Sequence, residues 1–283
     1  MNKNNPSSAL VSAVKALDLN VADRPWVKLS GGHSNCLWRV ETLTGTIVVK
    51  SYPKVWNNPV FGNSPELESL SLEHFAPLNV SPAKLGGGTA DGAAFLVYEH
   101  LNQVDKPVCT EEVGRLLRQV HKVDLSKSSL GNVAAQAPNP IISLLQTDTI
   151  WPEKLKTALE EAQQNISKSK VRCLLHGDPT LSNIVQSENG LRLLDWQCPR
   201  LGDPCWDIAV FMSPAMRMAY GHSEIISEEA DQFFYGYGEQ TVRDRFETKQ
   251  TSYSAIFAAY SFLQMQKGQL EYTTGFEAEM ALL

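Results

Sequence analysis

Several things are missing from this 283-residue chain, and each absence removes a class of function. No apolar run approaches the roughly 18 residues that a membrane span requires. No CxxC pair occurs, and the five cysteines (Cys36, Cys109, Cys173, Cys198, Cys205) leave one over in any disulfide scheme. They read as free thiols in a reducing cytoplasm. There is no basic excess: 25 Lys and Arg stand against 31 Asp and Glu, a net charge of −6. A nucleic-acid partner, which needs cations to meet phosphates, is therefore not expected. Internal repeats and low-complexity tracts are absent too. The polar start MNKNNPSS leads into ALVSAVKALDL, which Lys15 interrupts. That stretch reads as an amphipathic helix and not as a secretory leader.

The charge is unevenly placed. Residues 196–283 hold twelve acids and six bases, whereas residues 1–195 balance at nineteen of each. The acidic third is either a solvated surface or the wall of a site for a cation. It also holds Trp196, Trp206, Phe211, Tyr220, Phe233, Phe234, Tyr235, Tyr237 and Phe246. Those rings are either helix core or partners of a cation.

The length suffices for one large domain or two lobes with sizeable cores. LWRVET and TIVVKSY, separated by LTG, alternate as a β-hairpin. PELESLSLEHFA (65–76) opens with proline and reads as a short helix. AAFLVYEHL (93–101) reads as a strand running into a connector. TEEVGRLLRQVHKV (110–123) reads as a helix capped by Thr110, and WPEKLKTALEEAQQNI (151–166) as another. VRCLL, NIVQ and LRLLD are short strands, and helices follow from about residue 204. The pattern predicts an α+β chain of two lobes, 1–101 and 102–283, with a hinge near 99–104.

The chemistry concentrates in HGDPTLSN (176–183). Asp178 and Asn183 lie five apart on a proline-containing loop between strands, and Asp195 ends the next strand. Asn183 and Asp195 offer the oxygen ligands that Mg²⁺ prefers. Asp178 is left to take a proton from a hydroxyl. This is the division of labour in kinase-type phosphoryl transfer. LSGGHSN supplies a phosphate cover: Gly31 and Gly32 let backbone N–H groups approach, and Ser34 and Asn35 add side-chain donors. Lys50 ends TIVVK, where a lysine reaches the nucleotide phosphates. Its carboxylate partner is Glu68 or Glu66, with Glu68 preferred.

HGDPTLSN, LLDWQ with GDPCWDIA, and LSGGHSN with VVK resemble the aminoglycoside phosphotransferase and choline kinase-like superfamily over residues 27–211. The resemblance implies a bilobal protein-kinase-like fold, with a small β-rich N-lobe and a larger, mainly helical C-lobe. It implies ATP with Mg²⁺ and a small-molecule hydroxyl as acceptor. Carried over by motif, Asp178 is the catalytic base, Asn183 and Asp195 hold the metal, and Lys50 holds phosphate. Glu99 to Leu101 form the hinge backbone that contacts adenine. His176 braces the loop, and Asp207 caps its backbone N–H groups. GxGxxGxV, DFG and APE are absent, so a protein kinase is not expected, and DWQ stands where many relatives have DWE. LSGGHSN and DPCWDIA lean towards choline- and thiamine-kinase-like members. The acidic, aromatic last third then suggests a cationic or amine-bearing alcohol, such as choline, ethanolamine or thiamine, with Trp196 or Trp206 near the cation. The alternatives are an aminoglycoside 3′-type phosphotransferase and, from another class, a nucleotide-binding regulatory pseudokinase. The presence of Lys50, Asp178, Asn183 and Asp195 speaks against the last.

Overall fold

The computed structural model describes residues 5–29, 34–126, 128–167 and 170–283. Gly31 and Gly32 lie outside the described residues. The chain begins with α1 (Ser8–Lys15), capped by the Ser7 hydroxyl, and β1 (Val27–Lys28). β2 (Cys36–Glu41) and β3 (Thr46–Ser51) form the expected antiparallel hairpin, with Trp38 opposite Val49. Next come α2 (Pro65–Phe75), β4 (Lys84–Ala90) and β5 (Ala93–Glu99). The strands make one antiparallel sheet in the order β1-β2-β3-β5-β4.

Side chains alternate across a strand, so each face of this sheet builds a different core. Trp38, Val40, Ile47, Val49, Phe95 and Val97 point to the face that α1 covers with Leu10 and Val14. Val48, Tyr52, Leu96 and Tyr98 point the other way, into a core continuous with α2 and the rest of the chain. Lys50 shares the second face, which is why a strand lysine is fully buried.

The remainder is mainly helical. It runs through α3 (Thr110–His121), α4 (Ser129–Ala134), α5 (Pro140–Leu145) and α6 (Glu153–Ser167). The N-cap of α3 is Cys109, and Thr110 is the first helical residue; the assignment of Thr110 as cap is one position late. Short strands β6 (Cys173–Leu175), β7 (Ile184–Ser187), β8 (Gly190–Leu193) and β9 (Arg200–Gly202) pair as β6 with β9 and β7 with β8. Then come α7 (Cys205–Met212), α8 (Pro214–Met218), α9 (Ser227–Tyr237), α10 (Gln240–Gln266) and α11 (Thr273–Ala281). From Ser252 to Ser261 every residue of α10 is buried, so this helix is the axis of the C-terminal part. The fold is α+β and bilobal, a small antiparallel sheet joined to a larger helical part, in line with the sequence. Among the described residues no helix is long and apolar enough to cross a membrane.

Candidate active site

The loop after β6 is built by its backbone. Gly177 has φ 91°, and a Cβ there would sit 2.2 Å from the Cys198 carbonyl oxygen, so only glycine fits. Asp207, fully buried in the first turn of α7, accepts from the His176 N–H at 2.7 Å and the Gly177 N–H at 2.9 Å. His121 joins Asp207 at 3.1 Å and reaches Tyr237 through its other nitrogen at 2.9 Å. His176 donates from Nε2 to the Leu194 carbonyl (2.9 Å), while its Nδ1 accepts from the Asp178 N–H (3.3 Å). Those two bonds define a neutral imidazole, and burial lowers its pKa in the same sense. Its role is to hold the loop against β8.

Asp178 is thereby set at the edge of a cleft. Burial and the nearby Asp195 carboxylate push its pKa well above the ordinary range, and the Asn183 amide opposes them. Asn183 Nδ2 donates to the Asp178 carbonyl (2.8 Å) and to its carboxylate (3.2 Å). With the NH₂ so engaged, the amide oxygen of Asn183 remains for a ligand. The Leu194 N–H donates to the Asn183 carbonyl at 2.8 Å, which brings the residue before Asp195 against Asn183. Asp195 then takes φ 64°, a left-handed conformation that a non-glycine residue adopts at a cost. The turn carries its carboxylate to Lys50 Nζ, with which it forms a short ion pair.

Lys50 also donates to Glu68 Oε2 at 2.5 Å, and the Tyr52 hydroxyl donates to the same oxygen at 2.6 Å. Glu66 is exposed and turned away. Burial opposes the Lys50 ammonium, but the Asp195 and Glu68 carboxylates outweigh it and hold its pKa above the ordinary value. Ser34 lines the cleft. Asn35 does something other than expected. Its Nδ2 donates to Asn63 (3.1 Å) and Gln197 (2.5 Å), and its Oδ1 accepts from Asn63 (2.9 Å). Its polar atoms are spent inside the protein and none is left for phosphate. At the end of β5, the Glu99 N–H bonds to the Ala83 carbonyl and the His100 N–H to the Thr46 carbonyl, fixing the start of the connector.

Asp178 opens onto a cavity of about 210 Å³. Its walls include the amides of Asn57, Asn58, Gln197, Gln264 and Gln269 and the rings of Tyr220, Tyr260 and Tyr272, with Lys267 at the end of α10. The hydroxyls of Tyr220, Tyr272 and Tyr260 form a chain that ends on Asn58.

Neither tryptophan reaches this cavity. Trp196 is fully buried, stacked on Phe75 at 4.3 Å and edge-on to His176, with Nε1 donating to the Leu193 carbonyl. Trp206 donates to the Gly177 carbonyl at 3.0 Å, lies under Arg200, and lines a separate cavity with Tyr253. Both are supports of the loop, which corrects their assignment to the acceptor. The acidic excess is corrected as well: among the described residues none of the twelve acids after residue 195 lines the Asp178 cavity. Asp231 and Glu247 pair with Arg243, Glu239 with Lys122, and Asp203 with Arg245.

The family model of the phosphotransferase enzyme family matches residues 25–247. The chain belongs to this family. None of the curated proteins compared matches it. Among solved structures, this phosphotransferase is similar to a choline/ethanolamine kinase family protein from Mesorhizobium loti, at 14% identity over 95% of this chain and 94% of that one, with a TM-score of 0.66. It is similar to a choline kinase from Cryptosporidium parvum, at 14% identity over 96% and 95%, with a TM-score of 0.66. A spectinomycin phosphotransferase solved with ADP and spectinomycin matches at 13% identity over 98% of both chains, with a TM-score of 0.63. These likenesses establish the fold, and the family establishes transfer of phosphate to a hydroxyl of a small molecule.

Sequence reasoning missed Tyr52, Asn63, Tyr260, Tyr272 and Lys267, and named Tyr220 only as one ring of the acidic last third. The glutamine of DWQ is a usable signal. Gln197 bonds to Asn35 and so ties the stem of the glycine loop to the catalytic side.

Proposed function

We propose that this phosphotransferase moves the γ-phosphoryl group of ATP to a hydroxyl of a small molecule bound in the cavity over Asp178. The observation that carries this reading is the convergence of Lys50, Asn183 and Asp195 beside Asp178, joined by the bonds Lys50–Asp195 and Asn183–Asp178. Asp178 orients the acceptor hydroxyl and takes its proton as oxygen bonds to phosphorus. The bond from the γ-phosphorus to the bridging oxygen breaks, and ADP leaves. Lys50, held by Glu68, contacts the phosphates. Ser34 lies at the phosphate side of the cleft, and the backbone from Glu99 to Leu101 holds adenine.

The donor set fits Mg²⁺. Among the described residues no group of three His, Cys, Asp or Glu side chains is arranged for a metal. Mg²⁺ bound by one or two protein oxygens plus nucleotide phosphates needs no such group. The free amide oxygen of Asn183 and the Asp195 carboxylate would hold it, and it supplies neutralising charge to the phosphates.

A nucleotide-binding pseudokinase has no need of a base at Asp178, and here Asp178 stands with Asn183 and Asp195 beside the Lys50–Glu68 pair. Choline-, ethanolamine-, thiamine- and aminoglycoside-type alcohols belong in any acceptor screen, because three tyrosine rings could face a cation. The test is Asp178→Asn, which should lower turnover of the best acceptor by about 10²–10⁴ with ATP binding intact. Wild-type turnover by this variant would refute the assignment.

A further inference from the structure

The charge of the cavity bears on the substrate class, an inference that rests on the reading of the site above. Asp178 is the only acid among the described lining residues, and it is committed to the hydroxyl that receives phosphate. An acceptor amine would leave water and find no second carboxylate, and a quaternary ammonium would find rings but also the Lys267 charge beside it, both unfavourable exchanges. The walls offer amides, phenols and the rings of Trp56 and Phe61, the Trp56 N–H being spent on the Phe61 carbonyl. Asn58 spends its Oδ1 on the N–H groups of Val60 and Phe61, which leaves its NH₂ for the Tyr260 end of the hydroxyl chain. Gln264 is only 5% exposed. Amide and phenol groups both donate and accept, which matches the hydroxyls of a polyol. The one cation among the described wall residues is Lys267, exposed at the C-cap of α10. The volume of about 210 Å³ lies under the roughly 300–1,000 Å³ of drug-sized ligand sites. It suits a single ring or a short open chain.

We infer that the acceptor is a small polyhydroxylated molecule carrying an anionic group, a carboxylate or a phosphate, which Lys267 pairs with at the cavity mouth. Lys267 is then a specificity-determining residue. The reaction transfers phosphate from ATP to one hydroxyl of that polyol, and the anionic group is unchanged.

The experiment is an ATP–Mg²⁺ phosphoryl-transfer screen over one-ring and open-chain polyols. Each is supplied in neutral, carboxylate, phosphate-ester and amine forms, D-glucose, D-glucuronate, glucose phosphate and D-glucosamine among them, with choline and kanamycin beside them. An anionic form should show the highest kcat/KM, and the carboxylate and phosphate arms tell the two sources apart. For that acceptor Lys267→Gln should raise KM about two- to fivefold with kcat unchanged, the range of an exposed ion pair. Lys267→Glu should raise it further, and added salt should raise KM in the wild type. Both variants should leave KM for ATP and for the neutral form unchanged, which separates recognition from a loss of folding. A best acceptor that is an amine or choline overturns the inference and leaves the phosphotransferase reading standing. So does an equal effect of Lys267→Glu on anionic and neutral forms. Transfer to no acceptor, with ATP still bound, overturns both.

Discussion

The Lys50–Glu68 pair allows a quantitative test. The two side chains are 0% and 1% exposed. Removing one member of a buried pair costs about 3–5 kcal/mol, because the other charge is left without its partner. In Glu68→Ala the ammonium keeps Asp195, whose side chain is 31% exposed, so the lower end applies. The Tyr52 hydroxyl also loses its acceptor, worth about 1 kcal/mol more. The sum, about 4 kcal/mol, is a large part of the roughly 5–15 kcal/mol that holds a domain folded. With a urea m-value of about 3 kcal/mol/M the unfolding midpoint should fall by about 1 M. Lys50→Met/Glu68→Leu removes both charges and fills the space with apolar groups, so its stability should return to within about 1 kcal/mol of wild type. Its phosphoryl transfer should be lost all the same. A Glu68→Ala variant that loses less than about 1 kcal/mol, or a double variant no more stable than Glu68→Ala, would refute this account of the pair.

Three further outcomes are expected. Gly177→Ala forces a Cβ to within 2.2 Å of the Cys198 carbonyl at φ 91°, so it should lower both thermal stability and turnover; an unchanged melting curve contradicts the geometry. Glu279 is buried, with its carboxyl pKa pushed up to about 7 by burial against its bonds to Ser213, Ser254 and the Ala215 N–H, and Glu224 adds to the rise. Because the folded pKa lies above the unfolded one, its stabilising effect is complete below about pH 4.3 and is lost as pH rises to about 7, on the order of 3 kcal/mol. Glu279→Gln should flatten that slope, and parallel stability–pH curves for variant and wild type would exclude it. Trp206→Phe deletes the donor to the Gly177 carbonyl, and should cost about 1–3 kcal/mol in urea unfolding without moving acceptor KM; a selective KM change would return Trp206 to the acceptor site.

The parts that were legible in the sequence are those whose cause is local. The β2–β3 hairpin follows from alternation and a tight turn, and α2 from Pro65 at its start and apolar spacing. The family itself was readable from motifs, since HGDPTLSN and LLDWQ keep their chemistry at fixed spacing. β4, KLGGGTA, was not legible, because three glycines carry no strand propensity and its pairing with β5 alone makes it a strand. The tryptophans misled because a ring's identity does not reveal which neighbours cover it. Charge misled for a similar reason: a count over residues 196–283 adds exposed acids of α9 and α10 to Asp203, Asp207 and Glu279, which are buried away from the cavity. Tyr220 lies just past α8, Tyr260 and Lys267 belong to α10 and its cap, and Tyr272 stands immediately before α11. Only tertiary packing brings these four over Asp178.

The position of α1 has a consequence for how the chain is made. Its Leu10 and Val14 cover a sheet face that carries Trp38, Val49, Phe95 and Val97. On a ribosome this helix emerges before any strand it shields. At roughly 5–20 residues per second, β5 emerges several seconds later. The residues that cover the sheet are therefore available as soon as its strands pair, and its apolar face need not wait for the C-terminal helices. A chain rearranged to deliver α1 last would expose that face throughout synthesis, and should gather in aggregates although its finished fold is the same.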